Sequence, residues 1–218
     1  MPTKQSLMTT FIPIEQALSE LRQGRMIILL DDEFRENEGD LVMAAEKVTA
    51  DALNFMTKYA RGLLHLTLTE ERMNYLKIPL MPERRKHLNQ APFAASIEAA
   101  TGVTTGASLY DRVRTIQVAI DPKSTDQDIT LPGHVFPLQA RAGGVLERAG
   151  HTEGSVDLAR LAGLRPAGVL CEILRDDGHV ARLSDLYRFG EVHHIKLVLI
   201  KDLIAYRLEY DNRSHHSL

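Results

Sequence analysis

The sequence predicts an α+β protein, a single domain over residues 1–218 in which a mixed β-sheet packs against interspersed helices. Three observations carry this. Short continuous apolar runs at 26–30, 41–45, 63–68, 169–174 and 195–200 have the length and content of buried strands. Between them apolar residues return at helical spacing, as at Ile14, Ala17, Leu18 and Leu21. No internal repeat, heptad array or domain linker divides the 218 residues, a length that buries a sizeable core. Residues 1–12 and 212–218 read as loose ends.

Composition narrows the function classes. With 44% hydrophobic and 25% charged residues the chain has the make-up of a soluble globular protein. A formal net charge of -3 argues against a general nucleic-acid binder. No apolar run approaches the roughly 20 residues that span a bilayer, so no membrane partner is expected. Met1-Pro2-Thr3-Lys4-Gln5-Ser6 leads into no signal-peptide core. The lone Cys171, inside an apolar run, leaves no internal disulfide and no cysteine zinc site. The chain reads as cytoplasmic.

Taken in order, a helix carries Ile14 to Leu21 and stops at Gly24, and the first strand follows at 26–30. A second strand fills 41–45. Thr49 caps a helix bearing Leu53, Met56, Tyr59 and Ala60 that Gly62 ends, a strand takes 63–68, and Thr69 opens a short helix. Between Pro79 and Pro92 the pattern breaks around Arg84-Arg85-Lys86-His87, the mark of a lid or binding loop, or else of disorder. A strand at 94–99 leads to the turn Thr101-Gly102-Val103-Thr104-Thr105-Gly106, and Ser108 caps a helix through Asp111, Val113 and Ile116. Residues 121–130 form a polar connection, Pro132-Gly133-His134 a turn, and 135–140 a short strand. Thr152 caps a helix closed by Gly163, a strand spans 169–174, and Asp177-Gly178 turns a hairpin. Ser184 caps a further helix. Residues 195–200 are the last strand and 203–208 the last helix.

Chemistry concentrates in two stretches. In Asp31-Asp32-Glu33-Phe34-Arg35-Glu36-Asn37-Glu38-Gly39-Asp40 six of ten residues are carboxylates. An acidic run is ordinarily a solvated loop. This one lies between two buried strands and includes an arginine, an asparagine and a glycine that solvation does not require. Crowded carboxylates call for a cation, and a divalent metal is the natural one. In the second stretch, Arg148-Ala149-Gly150-His151-Thr152-Glu153, free N–H groups at a helix start attract anions and Arg148 can fork onto a phosphate. The plainer alternative is that Thr152 and Glu153 only cap and charge-match the helix. His151 is either a hydrogen-bonding surface residue or a metal ligand. Oxygen from Glu36 with one imidazole and no thiolate suits Mg²⁺ or Mn²⁺ better than a structural zinc. His134 is an acid–base group or a buried, hydrogen-bonded histidine. Glu172 interrupts an apolar strand, where an unpaired carboxylate is unfavourable, so it is a base or the partner of an arginine.

Five segments together resemble the 3,4-dihydroxy-2-butanone 4-phosphate synthase family: Asp32 to Leu41, Gly102-Val103-Thr104-Thr105-Gly106, Pro132-Gly133-His134-Val135-Phe136-Pro137, Gly143 to Glu153, and Pro166-Ala167-Gly168-Val169-Leu170-Cys171-Glu172. The resemblance runs from about Ile14 to Arg207 and is to the stand-alone form. It implies a lyase of riboflavin biosynthesis that converts ribulose 5-phosphate into 3,4-dihydroxy-2-butanone 4-phosphate and formate. It also implies Mg²⁺ or Mn²⁺, two ions per active site, and a homodimer with active sites at the interface. By motif, Glu36 and His151 hold the metals, Arg35 and Asp40 contact the sugar, and Arg148, Ala149, Gly150, His151 and Thr152 take the phosphate end. Glu36 reaches substrate as well. His134 and Glu172 serve the chemistry, with Glu38 and Asp31 as helpers. The chain departs from the family pattern at His65 (often cysteine), Ala91 and Ala94 (threonine hydroxyls), and Leu131 and Gln139 (arginine). These departures leave two alternatives: a sugar-phosphate-binding paralogue with a regulatory role, or a metal-dependent sugar-phosphate isomerase.

Overall fold

A computed structural model describes residues 11–82 and 92–215, with side chains as far as 212. The basic cluster at 84–87, Ala91 and residues 1–10 lie outside the described residues. In order, the elements are α1 (Ile14–Arg22), β1 (Ile27–Leu30), β2 (Gly39–Ala44), α2 (Ala50–Phe55) continued by a π turn (Met56–Ala60), β3 (His65–Thr69), α3 (Glu70–Tyr75), β4 (Ile97–Ala99), α4 (Leu109–Ile120), β5 (Ile129–Ala140), α5 (His151–Leu161), β6 (Ala167–Glu172), α6 (Leu183–His193), β7 (Lys196–Leu199) and α7 (Ile200–His215). The strands form one mixed sheet in the order β4-β5-β3-β6-β2-β1-β7. Only β1/β7 and β3/β5 run parallel; the other neighbours are antiparallel.

Helices cover both faces of this sheet, which is why its central strands read as unbroken apolar runs. Side chains still alternate. Ile27, Leu29, Val42, Leu170 and Val198 pack with Leu18 of α1, Leu158 of α5 and Leu203 of α7. Ile28, Leu30, Leu41, Met43, Val169 and Cys171 face the opposite way, toward Leu53 of α2, Met73 of α3, Ile116 of α4 and Leu186 of α6. The same alternation sets the polar residues. Asp40 shares a face with Val42, Glu172 with Leu170, and His65 lies opposite in register to Leu170, while Asp40 is the direct partner of Glu172. Three residues from separate parts of the chain are thereby aimed at the N-terminal end of α5.

Several local expectations are corrected. Phe11 and Ile12 are not loose: Phe11 bridges to Leu197, and the Ile12 N–H donates to the Leu197 carbonyl at 2.9 Å. Helix α7 continues past Asn212 to His215. The helix expected to stop at Gly62 widens into the π turn and ends at Arg61, which takes the left-handed conformation (φ 69°). Strand β5 begins at Ile129, so Pro132, Gly133 and His134 lie within it. That half of β5 pairs with β4 alone, and β3 joins only from Phe136 onward, so the missing Pro132 N–H costs no ladder bond toward β3. The N-caps of α5 and α6 are Gly150 and Arg182, with Thr152 and Ser184 two residues further on, inside the first turn.

Candidate active site

The acidic loop between β1 and β2 is folded around Asp31. Its carboxylate is fully shielded, accepting from the Arg35 guanidinium and the Glu36 N–H at 2.9 Å each and from the Glu38 N–H at 2.8 Å. Asn37 supplies the left-handed residue the reversal needs (φ 55°), a conformation asparagine tolerates. From α6, Arg182 donates to the carbonyls of Glu36 and Asn37 at 2.7 and 2.6 Å. These bonds turn Glu36, Glu38 and Asp40 toward α5. Arg182 gave no signal in the sequence, because it lies far along the chain in no recognisable motif.

The facing wall is the N-terminus of α5. Gly150 caps it without a side chain, so the first-turn N–H groups are not engaged by a side-chain cap. A Cβ at Gly150 would meet the Arg148 guanidinium, so any larger residue would displace the arginine from its present place. Arg148 is held at 2.5 Å by the fully buried Glu153, which also accepts from the Arg141 N–H at 3.1 Å. Glu153 therefore ties the arginine to the chain at Arg141. Ala149 is exposed beside it, and Thr152 is buried.

One pocket is lined by Arg35, Glu36, Glu38, Asp40, His65, Phe93, Leu138, Arg148, His151, Thr152, Leu170 and Glu172. It collects every substrate- and metal-binding residue expected from the sequence except Ala149 and Gly150, which adjoin it in the chain. His151 Nδ1 stands 3.8 Å from Glu36 Oε2 and 3.9 Å from Asp40 Oδ2, beyond hydrogen-bond reach, and its buried Nε2 has no hydrogen-bond partner among the described residues. Ligand atoms of Asp31, Glu36 and His151 all lie within 4.8 Å of one another. Burial, with Glu172, Glu38 and Glu36 nearby, pushes the Asp40 carboxyl up to about 7 against the pull of His151. Burial and then Glu36 raise Glu38. Oxygen donors, one imidazole and a carboxylate cluster that resists ionising suit a hard divalent cation.

Among the described residues Glu172 has no arginine partner. Its Oε2 accepts from the Leu63 N–H at 2.8 Å, presented by the chain just after the π turn, and its Oε1 lies 3.7 Å from His65 Nε2. His65 directs Nδ1 to the Phe136 carbonyl at 3.3 Å, and burial lowers its basicity. Of the departures from the family pattern that are described, His65 alone lines the pocket. Ala94 is buried against Pro137, Leu131 is exposed, and the Gln139 N–H serves the Pro92 carbonyl. His134 is absent from this lining. Its ring pairs with Glu98 at 2.7 Å and borders a second, small cavity with His65, Arg112 and Leu64.

Comparison with known proteins agrees with this geometry. A family profile described as 3,4-dihydroxy-2-butanone 4-phosphate synthase matches residues 15–206. The chain is 56% identical over 200 residues to the riboflavin biosynthesis protein RibBA of Aquifex aeolicus, covering 91% of this chain and 49% of that protein. It is 48% identical over 198 residues to a 3,4-dihydroxy-2-butanone 4-phosphate synthase of Vibrio cholerae, covering 91% of each. It thus spans about half the length of some curated relatives and nearly all of others. Among solved structures, the Candida albicans 3,4-dihydroxy-2-butanone 4-phosphate synthase is similar with a TM-score of 0.83 at 44% identity, over 90% of this chain and 98% of that one. A synthase of the same name in complex with two magnesium ions is similar with a TM-score of 0.87 at 34% identity, over 92% and 99%. No helix among the described residues is long and apolar enough to cross a membrane. With sequence match, fold and pocket in agreement over nearly its whole length, the chain belongs to the 3,4-dihydroxy-2-butanone 4-phosphate synthase family.

Proposed function

We propose that the protein is a cytoplasmic lyase that converts ribulose 5-phosphate into 3,4-dihydroxy-2-butanone 4-phosphate and formate with Mg²⁺ or Mn²⁺, two ions per site, in riboflavin biosynthesis. The observation that carries this is the meeting of Glu36 and His151, from stretches far apart in sequence, beside Arg148 at the start of a helix. Glu36 and His151 would hold the cation, which when bound would supply Lewis acidity to the oxygens of the enolised sugar.

The remaining roles belong to the chain itself. Arg148 and the first-turn N–H groups of α5 around Gly150 to Thr152, with Ala149 beside them, take the phosphate end. Arg35 and Asp40 contact the sugar hydroxyls. Glu172, with one oxygen held by the Leu63 N–H, keeps the other for a proton next to the ketose carbonyl. Burial holds the Asp40 carboxyl up at about 7 in the cation-free site, and a bound cation would favour its ionised form. Glu38 assists from the loop, and Asp31 acts by fixing that loop. His134 serves as a second acid–base group. Because it borders a different cavity of the same chain, a homodimer with active sites at the interface is the arrangement that delivers it to a pocket.

The test is formate release from ribulose 5-phosphate with Mg²⁺. One formate per sugar consumed supports the reading. Ketose interconversion without formate, or binding without turnover, would contradict it.

A further inference from the structure

Glu98 was not singled out by the sequence, yet its carboxylate accepts from three donors outside the cation pocket. It is buried in the edge strand β4. Its Oε1 accepts from the Thr115 hydroxyl of α4 at 2.7 Å, and that same hydroxyl accepts from the Ala99 N–H at 3.1 Å. Its Oε2 accepts from both His134 Nδ1 at 2.7 Å and the His134 backbone N–H at 3.2 Å. The turn 101–106 closes over this pair. A Cβ on Gly106 would collide with Glu98 Oε2 and lie 2.6 Å from His134 Nδ1, and Gly106 has φ 83°. Asp111 of α4 holds the turn there, accepting from the Thr104 hydroxyl at 2.7 Å, the Thr104 N–H at 3.1 Å and the Gly106 N–H at 3.2 Å.

We propose that Glu98 is the positioning residue for His134, fixing its imidazole as the Nδ1–H tautomer so that Nε2 is the nitrogen offered for proton transfer, and that the turn 101–106 serves to seal this pair. The proposal rests on the reading of His134 as an acid–base group. Its physical basis is that an atom accepting from a backbone N–H must be an oxygen with lone pairs to spare. A carboxylate oxygen has no proton to give, so the ring nitrogen that shares it carries the hydrogen of that bond. A histidine whose ring nitrogen is committed in this way presents the other nitrogen in one orientation and one tautomer, which is the form a general base needs. His134 keeps 45% of its side chain exposed, so the free nitrogen remains accessible.

The same bifurcation predicts how variants differ. In Glu98→Gln the amide oxygen must face the His134 N–H, leaving the NH₂ for Thr115, so the Nδ1–H tautomer persists while the negative charge is lost. In Glu98→Ala nothing selects Nδ1–H. The test records nitrogen-15 shifts of His134 in the full chain alongside formate release, with Mn²⁺ binding as the control for an intact cation pocket. Wild type and Glu98→Gln are expected to show Nδ1–H, and Glu98→Ala to shift mainly to Nε2–H. kcat is expected to fall about 10-fold in Glu98→Gln and about 100-fold in Glu98→Ala, with KM held within about threefold. An unchanged tautomer in Glu98→Ala overturns the proposal whatever the activity, as does wild-type kcat after the tautomer has switched. Should Glu98→Ala not fold, wild-type kcat or an Nε2–H ring in Glu98→Gln overturns it. Full formate release by His134→Gln would instead overturn the role given to His134, with the tautomer result still reporting on Glu98.

Discussion

Asp31 and Glu36 belong to one loop and to one group of potential ligands, but their situations are opposite. Asp31 spends its oxygens on three internal donors and is shielded from solvent, whereas Glu36 is exposed, with Oε2 paired to the Arg35 guanidinium at 2.8 Å and 3.8 Å from His151 Nδ1. Asp31→Asn sets an NH₂ group against an N–H donor and is expected to lose about 1–3 kcal/mol in denaturant unfolding. Glu36→Gln is expected to unfold like the parent. Equal stability of Asp31→Asn and parent would show that Asp31 is not the loop's anchor.

Asp40 gives a pH prediction whose sign follows from linkage. Its folded value, about 7, lies above the ordinary 3.8, so the protonated form is favoured in the fold. The stability this group contributes is therefore complete below about pH 4 and lost as pH rises through about 7. In protein without divalent cations, Asp40→Asn should melt at a higher temperature than the parent at pH 8, with the difference vanishing near pH 4. A parent that is the more stable of the two at pH 8 would contradict this. None of this was legible in the chain, since an acidic run shows how many carboxylates are present but not which is buried.

At the scale of elements, what could be read followed from local physics. Thr49, Thr69 and Ser108 stand where side-chain caps were expected, and each accepts from an N–H three residues on. The readings at Thr152 and Ser184 erred because Gly150 and Arg182 offer no hydroxyl or carboxamide signal, so the next hydroxyl took the assignment. Strand β5 was cut short for a similar reason: Pro132-Gly133 resembles a turn, and it is tolerable in the strand because β3 has no partner there and the β4 register jumps from Thr130 to Val135 across it. The end of α6 supplies a prediction. His194 caps it in the left-handed region (φ 57°) with its side chain exposed. His194→Gly should raise stability by up to about 1 kcal/mol, since relief of the left-handed penalty outweighs glycine's added chain entropy. A lower melting temperature would show that the position is not strained.

At the scale of the molecule, the site is a product of strand order. β2 lies between β1 and β6, which brings the acidic loop beside Glu172, and α5 crosses that face so that its N-terminus meets both. Sequence spacing carries no information on strand order, so the residues alone led to a cation loop and a separate anion-binding helix start. The family resemblance joined the two, and the fold supplies the physical junction. His134 is not gathered by this arrangement: it answers to Glu98 and borders another cavity.

The central claim is that Glu36 and His151 form one cation site, distinct from the acid–base group Glu172 that shares the pocket. Mn²⁺ titration of the purified protein, followed by the loss of the free-ion EPR signal, tests this directly. Parent and Glu172→Gln should bind Mn²⁺ with affinities within about threefold of each other, and His151→Ala should bind at least about tenfold more weakly. Equal weakening in His151→Ala and Glu172→Gln, or undiminished binding in His151→Ala, would contradict the division of roles.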